Sequence, residues 1–401
     1  MQNLINRPLY LEKLKGFLHT DLIKIITGVR RCGKSTLFVL FRQYLEKEKA
    51  VKPEQIININ LEDALYKDID NWQALHDYIS SKLLPERQNY VFIDEIQNIP
   101  EFERAINSLN LKKNIDLYVT GSNAQMLSSE IATLISGRYI EIRMLPLSFK
   151  EYMSVIDDKT NLPEKFKNFL DCSSFPGAIQ FNGDKKRIDE YIKGIYSTIV
   201  LKDIVARKKI HDVYRLENVI SFMFNIIGSE TSINNIYKTM KSDGREVQTP
   251  TIEGYLSALL ESFILYKVGR FDVKGKQLLK TNDKYYLVDI GFRNVVLGRR
   301  NDDSGHILEN IVYLELLRRG YEVYIGKVGN KEVDFIARNN GSVEYYQVSQ
   351  SVIDSNVLKR EMAPLDMIKD HNPKFILTMD YISENVNGIK QVNVLDWLLE
   401  K

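Results

Sequence analysis

Gly28-x-x-x-x-Gly33-Lys34-Ser35 gathers two glycines, an amine and a hydroxyl into one short turn, and the stretch IITGVRRCGKSTLF (25–38) sets that turn between two apolar runs. Glycines let backbone N–H groups turn inward, toward phosphate oxygens. A lysine ammonium beside them reaches the β and γ phosphates, and a serine hydroxyl can ligate Mg²⁺. The pattern is that of a polyphosphate cradle, with Gly28, Arg31, Gly33, Lys34, Ser35 and Thr36 as its nucleotide-binding set. Arg30 and Arg31 are either phosphate contacts or solvated residues, and Cys32 reads as a small filler.

A second chemistry lies in NYVFIDEIQNIP (89–100), an apolar run that ends in Asp94-Glu95. An acid at the end of a parallel strand can hold Mg²⁺ together with Ser35, and a neighbouring glutamate can orient the attacking water. That pairing suits hydrolysis of ATP better than transfer to another substrate. In DLYVTGSNAQML (116–127) another apolar run ends in small polar residues. Ser122 or Asn123 can stand between the acids and the γ phosphate as a sensor, although Gly-Ser-Asn is equally ordinary turn chemistry. Arg138, in LISGRYIEIR, is either a surface residue or a fixed charge for the transition state, supplied in cis or by a neighbouring subunit.

These residues need elements to position them. LIKII (22–26) reads as a short buried strand. STLFVLFRQYLEK (35–47) reads as a helix with Leu37, Leu40, Phe41, Tyr44 and Leu45 on one face. The cradle therefore has the strand–loop–helix context it requires. With 401 residues, two or three domains are expected. The near balance of 55 basic and 53 acidic residues says nothing about a polyanionic partner. Two cysteines exclude a disulfide framework and zinc ribbons, and the five histidines lack ligand spacing. No apolar run has membrane-spanning length, and MQNLINRPLYLEKL lacks a signal-peptide core. The expectation is a soluble cytoplasmic protein with no membrane partner.

The stretches GVRRCGKSTL, FIDEIQNIPEFE, TGSNAQMLSSEIATLISGRYIEIRMLPLSFKEY and EVDFIA…YYQVSQS together resemble the prokaryotic AAA-type ATPases with a C-terminal domain of unknown function. The resemblance covers nearly the whole chain. It implies an ATPase module, a winged-helix segment and a small domain similar to PD-(D/E)xK nucleases. It also implies the Walker A roles for Lys34 and Ser35, the Walker B roles for Asp94 and Glu95, the sensor segment at Ser122, and the following arginine at Arg138. The family's glycine-glycine-aromatic-proline stretch stands here as CSSFPG (172–177), with Ser173 and Ser174 replacing the glycines. If that loop closes over the nucleotide, its geometry differs here.

The expected fold class is α/β: a P-loop parallel sheet, a helical connector, a winged helix and a small restriction-endonuclease-like domain. The boundaries fall at 1–155, 156–215, 216–292 and 293–401. Lys/Arg clusters at 185–187 and 207–209 read as solvated helix faces. Residues 216–290 read as three helices followed by a hairpin with its loop at Gly275. The third helix exposes Thr251, Glu253, Ser257 and Glu261, with no cation to read DNA. The hairpin, with Arg270, Lys274, Lys276 and Lys280, remains a candidate DNA contact.

In the last hundred residues Glu309, Asp334 and Gln347 are candidate oxygen ligands of a second metal site, on a helix and a hairpin with an Asn-Asn-Gly turn. The PD-(D/E)xK pattern departs here, because its second carboxylate is Gln347 and its lysine falls on Ser349. Lys331 and Lys359 are candidate replacements, and a weak or inactive nuclease fold kept for binding or regulation is expected. The function this supports is Mg²⁺-dependent ATP hydrolysis coupled to movement of the downstream domains. The alternatives are an ATP-gated DNA-processing enzyme and a nucleotide-regulated signalling scaffold with a protein partner. The oligomeric state is left open.

Overall fold

A computed structural model describes residues 4–124, 137–156, 158–245, 247–275, 277–299, 304–381 and 384–400, without the side chains of 279–281. The chain forms two compact units, Met1–Pro146 with Glu261–Phe263, and Leu147–Leu260 with Ile264–Lys401.

The upstream unit holds α1 (Pro8–Gly16), β1 (Ile23–Thr27), α2 (Lys34–Glu48), β2 (Ile56–Asn60), α3 (Trp72–Lys82), β3 (Asn89–Asp94), α4 (Phe102–Asn110), β4 (Ile115–Gly121) and β5 (Tyr139–Arg143). Its five strands are all parallel, in the order β2-β3-β4-β1-β5. Every residue of β1, β3 and β4 is buried, which is why these strands read as unbroken apolar runs rather than alternating ones. Ile25, Val91, Ile93, Leu117 and Val119 form the centre of one core, with Leu109 of α4 packed on it. Lys24 is the exception inside β1. It is fully buried, and its ammonium bonds Asp116 Oδ1 at 2.5 Å and the Thr20 carbonyl at 3.0 Å. Burial lowers its pKa, against the pull of Asp116.

Parallel strands put all their C-terminal ends on one edge, the edge where α/β sheets bind ligands. Thr27 of β1 is level with Gly121 of β4, and Ile93 of β3 with Val119. The cradle, Asp94 and Ser122 therefore leave the sheet side by side, with β4 lying between β1 and β3.

The downstream unit begins with helices α5 (Phe149–Ser154), α6 (Leu162–Cys172), α7 (Lys185–Thr198), α8 (Val213–Asn225), α9 (Ile233–Ser242) and α10 (Thr249–Glu261). There follow β6 (Leu265–Asp272), β7 (Gln277–Leu287), α11 (Ile290–Leu297), α12 (Ser304–Arg318), β8 (Glu322–Val328), β9 (Lys331–Asn339), β10 (Ser342–Ser349), α13 (Ser355–Asp366), β11 (Lys374–Thr378), β12 (Asn385–Val386), β13 (Ile389–Asn393) and α14 (Val394–Leu399). Its sheet is mixed and eight-stranded, in the order β12-β13-β11-β10-β9-β8-β6-β7. The Asn340-Gly341 turn between β9 and β10 has positive φ at both residues, as a two-residue hairpin turn demands.

The expected order of three helices and a hairpin is present, but the hairpin is no free wing. β6 pairs in parallel with β8, Arg270 opposite Ile325, so β6 and β7 extend the C-terminal sheet. This joins segments that the sequence separates at 292, and the compact units part at Pro146 rather than at 155. Arg270 is held by Glu230 at 2.7 Å, which removes it from the cations offered to DNA, and Lys274 is exposed. Lys276 and the side chain of Lys280 lie outside the described residues. Among the described residues no helix is long and apolar enough to cross a membrane.

Gly28 shows why the cradle needs glycine. Its φ is +151°, and a Cβ built there would stand 2.2 Å from the Met144 carbonyl oxygen. Gly28→Ala is expected to cost at least about 1–3 kcal/mol through backbone strain alone. An unchanged denaturation midpoint in urea would contradict that.

Candidate functional site

The loop between β1 and α2 is built for an anion. Gly33, at φ +107°, is the N-cap of α2 and supplies no side-chain cap. The first N–H groups of the helix thus lack the acceptor that an N-cap side chain normally provides, and the helix dipole adds to their pull on negative charge. Lys34 opens the helix, 4% exposed. Its Nζ donates to the carbonyls of Gly28 at 3.0 Å and Val29 at 3.3 Å and lies 3.7 Å from Glu95 Oε1. Ser35 is exposed, Thr36 is half-buried, and Arg31 is exposed at φ +68°. Arg30 is paired with Glu62 at 2.8 Å.

Arg7 fixes this loop from outside. It is 2% exposed and donates to the carbonyls of Cys32 at 3.1 Å and Leu145 at 2.6 Å. Cys32 is fully buried beneath Gly28, and burial pushes its thiol pKa up, so it is a filler as expected.

The acidic pair stands at the neighbouring strand end. Thr120 of β4 donates its hydroxyl to Asp94 Oδ1 and accepts the Glu95 N–H at 3.0 Å. Burial raises the Asp94 pKa, opposed by hydrogen bonds from Ser35 and Thr120. The Ser35 hydroxyl and the Asp94 carboxylate are therefore adjacent oxygen donors, the donor class Mg²⁺ prefers, and they fit the ion. Glu95 takes a left-handed backbone, φ +56°, a conformation uncommon outside glycine and often found at functional sites. Gln97 Nε2 donates to Glu95 Oε2 and to Ser122 Oγ, the latter at 3.3 Å. Gln97 Oε1 is buried beside them with no hydrogen-bond partner among the described residues. The structure thus links Ser122 to Glu95 through Gln97. Sequence reasoning passed over Gln97, although it lies two residues after Glu95 in FIDEIQNIP.

Arg138 does not join this group. Its carbonyl accepts the Ile23 N–H, and Tyr139 is level with Ile23, at the N-terminal edge of the sheet. Four strand steps, about 13 Å, separate that edge from Thr27. Arg138 is exposed there, at the opposite edge of the sheet from the cradle of its own chain.

The CSSFPG loop is tied down within its own unit. Ser174 donates its N–H at 2.6 Å and its hydroxyl at 2.5 Å to Asp289 Oδ2, inside the downstream unit. Ser173 holds φ +72°, the left-handed conformation that the family's glycine would adopt without strain.

Glu309, Asp334 and Gln347 do converge, around a cavity of about 580 Å³ in the downstream unit, lined also by His306, Lys331, Glu332, Arg360 and Glu361. Among the described residues no set of three or more His, Cys, Asp or Glu is arranged to hold a metal ion.

With the geometry in place, comparison with known proteins adds two domain matches. Residues 20–153 match the model of the AAA domain, and residues 163–303 match a domain of unknown function (DUF8612). An uncharacterized protein of Haemophilus influenzae is 37% identical over 402 residues, covering 99% of both chains. The chain belongs to this AAA-domain family. A second uncharacterized relative, from Methanocaldococcus jannaschii, is 27% identical over 392 residues, covering 93% of this chain and 85% of its own. The Walker-type ATPase PABY2304 of Pyrococcus abyssi is 17% identical at a TM-score of 0.49, covering 73% of this chain and 96% of that one. The cradle, the acidic pair and Ser122 all fall within the AAA domain, which makes the upstream unit an AAA-type P-loop ATPase module.

Proposed function

We propose that the AAA domain hydrolyses ATP in a magnesium-dependent reaction, and that turnover is coupled to movement of the downstream unit. The observation that carries this reading is the uncapped start of α2, with the Lys34 ammonium between the loop carbonyls and Glu95. The first-turn N–H groups of α2 and the loop amides donate to the phosphate oxygens. Lys34 exchanges the carbonyls of Gly28 and Val29 for oxygens of the β and γ phosphates. Ser35 and Asp94 would hold Mg²⁺, which would supply charge neutralisation at the phosphates. Glu95, held by Gln97, orients a water for in-line attack on the γ phosphorus, and the bond to the β-phosphate oxygen breaks to release ADP and phosphate. Ser122 reports on the γ phosphate through Gln97. Arg138, at the far edge of its own sheet, is placed to serve the cradle of a neighbouring copy.

The partner of the downstream unit is DNA or a protein, and the exposed face of α10, with Glu253 and Ser257, favours a protein over a DNA groove. Calorimetric titration of ATP into the magnesium-loaded protein, followed by phosphate release, tests the reading. Saturable heat and slow turnover are expected. No heat from folded protein would end it.

A further inference from the structure

Two of the carboxylates that line the cavity of the downstream unit, Glu309 and Glu332, share one buried cation. Lys284, on β7, is 4% exposed and reaches Glu309 Oε1 at 2.9 Å and Glu332 Oε1 at 2.7 Å. Tyr286, two residues along the same strand and so on the same face, also donates to Glu309. His306 lies 3.9 Å from the other Glu309 oxygen. The Asp334 carboxylate accepts the Val348 N–H at 2.8 Å. Gln347 is spent on both ends: its Oε1 accepts the Asp334 N–H at 3.3 Å, and its Nε2 donates to Glu361 at 2.9 Å. Glu361 is paired in turn with Arg360 at 2.7 Å.

We propose that the Lys284 ammonium, by holding Glu309 and Glu332 from behind the cavity, keeps a divalent metal off these carboxylates. Two features carry the inference independently. The first is charge. Glu309 and Glu332 share one ammonium, and a divalent ion drawn to the same oxygens would meet a positive charge at contact distance in a poorly solvated place. The second is donor supply. Gln347 brings no charge, and its oxygen already faces an N–H, so the third oxygen ligand of a nuclease-type centre is engaged elsewhere. Ser349, where the nuclease pattern has its lysine, carries no charge, and the cation arrives instead from a strand that precedes Glu309 in the chain. Relieved of Lys284, Glu309 and Glu332 would meet a divalent ion without an opposing charge between them.

The test is a gain of metal binding. Mn²⁺ binding is followed by electron paramagnetic resonance on nucleotide-free full-length protein, with Asp94→Asn in every sample so that the AAA domain's cradle does not supply the ion. Lys284→Met keeps the length of the side chain and removes its charge. It should bind Mn²⁺ at least about tenfold more tightly than its Lys284 parent, because the repulsion is gone. Adding Glu309→Gln should abolish the gain. Two results would overturn the proposal: a Glu309-dependent Mn²⁺ signal in the Lys284 parent, or a folded Lys284→Met protein with no gain. Loss of Lys284 leaves buried carboxylates unpaired, and where this melts the variant early the melt itself becomes the readout. In that case Mn²⁺ should raise its melting temperature and leave the parent's unchanged, and a variant that Mn²⁺ does not stabilise would refute the idea.

Discussion

Lys34→Ala is expected to abolish ATP binding. The side chain is buried, and its ammonium is the positive charge at the mouth of the loop, beside Glu95 and near Asp94. Without it, a triphosphate approaches two carboxylates with only backbone dipoles in its favour. Removing one preorganised charge of this kind typically costs about 10²–10³ in function, and here the two uncompensated acids add repulsion. A fluorescent ATP analogue gives the readout, and a thermal melt confirms that the variant is folded. Wild-type affinity in the folded variant would remove Lys34 from the cradle.

Glu95→Gln separates binding from chemistry. Glutamine has nearly the shape of glutamate, and its amide oxygen can still accept from Gln97 Nε2. The amide cannot take a proton, so orientation of the attacking water is lost while the phosphate contacts remain. Turnover should fall by about 10²–10⁴-fold with nucleotide affinity held or improved. Single-turnover phosphate release measures it. A variant that hydrolyses at the parental rate would mean that another group activates the water, and Gln97, which bonds both Glu95 and Ser122, would be the first to examine.

The cradle was legible because it is contiguous. Its chemistry depends on backbone N–H groups, and Gly28, Gly33, Lys34 and Ser35 announce that backbone within one turn. Asp94 and Ser122 were legible for a different reason. Each ends a fully buried strand, and parallel strands deliver their ends to one edge. The position of Arg138 was not legible, because the sequence names a residue beside a strand without naming the end of the sheet it occupies, and here that is the edge opposite the cradle. Arg7 and Lys284 were out of reach altogether. Arg7 meets Leu145 from 138 positions away, and Lys284 meets Glu309 from 25 positions away, so no local spacing reveals either contact. The CSSFPG motif was visible as a departure, but its partner Asp289 lies 115 positions further on.

The parallel join between β6 and β8 also bears on how the chain is made. Translation delivers the β6–β7 hairpin first, with one edge of β6 showing bare amides and carbonyls. Its neighbour arrives only after α11 and α12 have emerged. Until then the nascent chain carries a sticky ribbon open to other chains. A cell that expresses this protein fast, or pauses the ribosome before residue 322, exposes that ribbon longest, and chaperone demand should concentrate there.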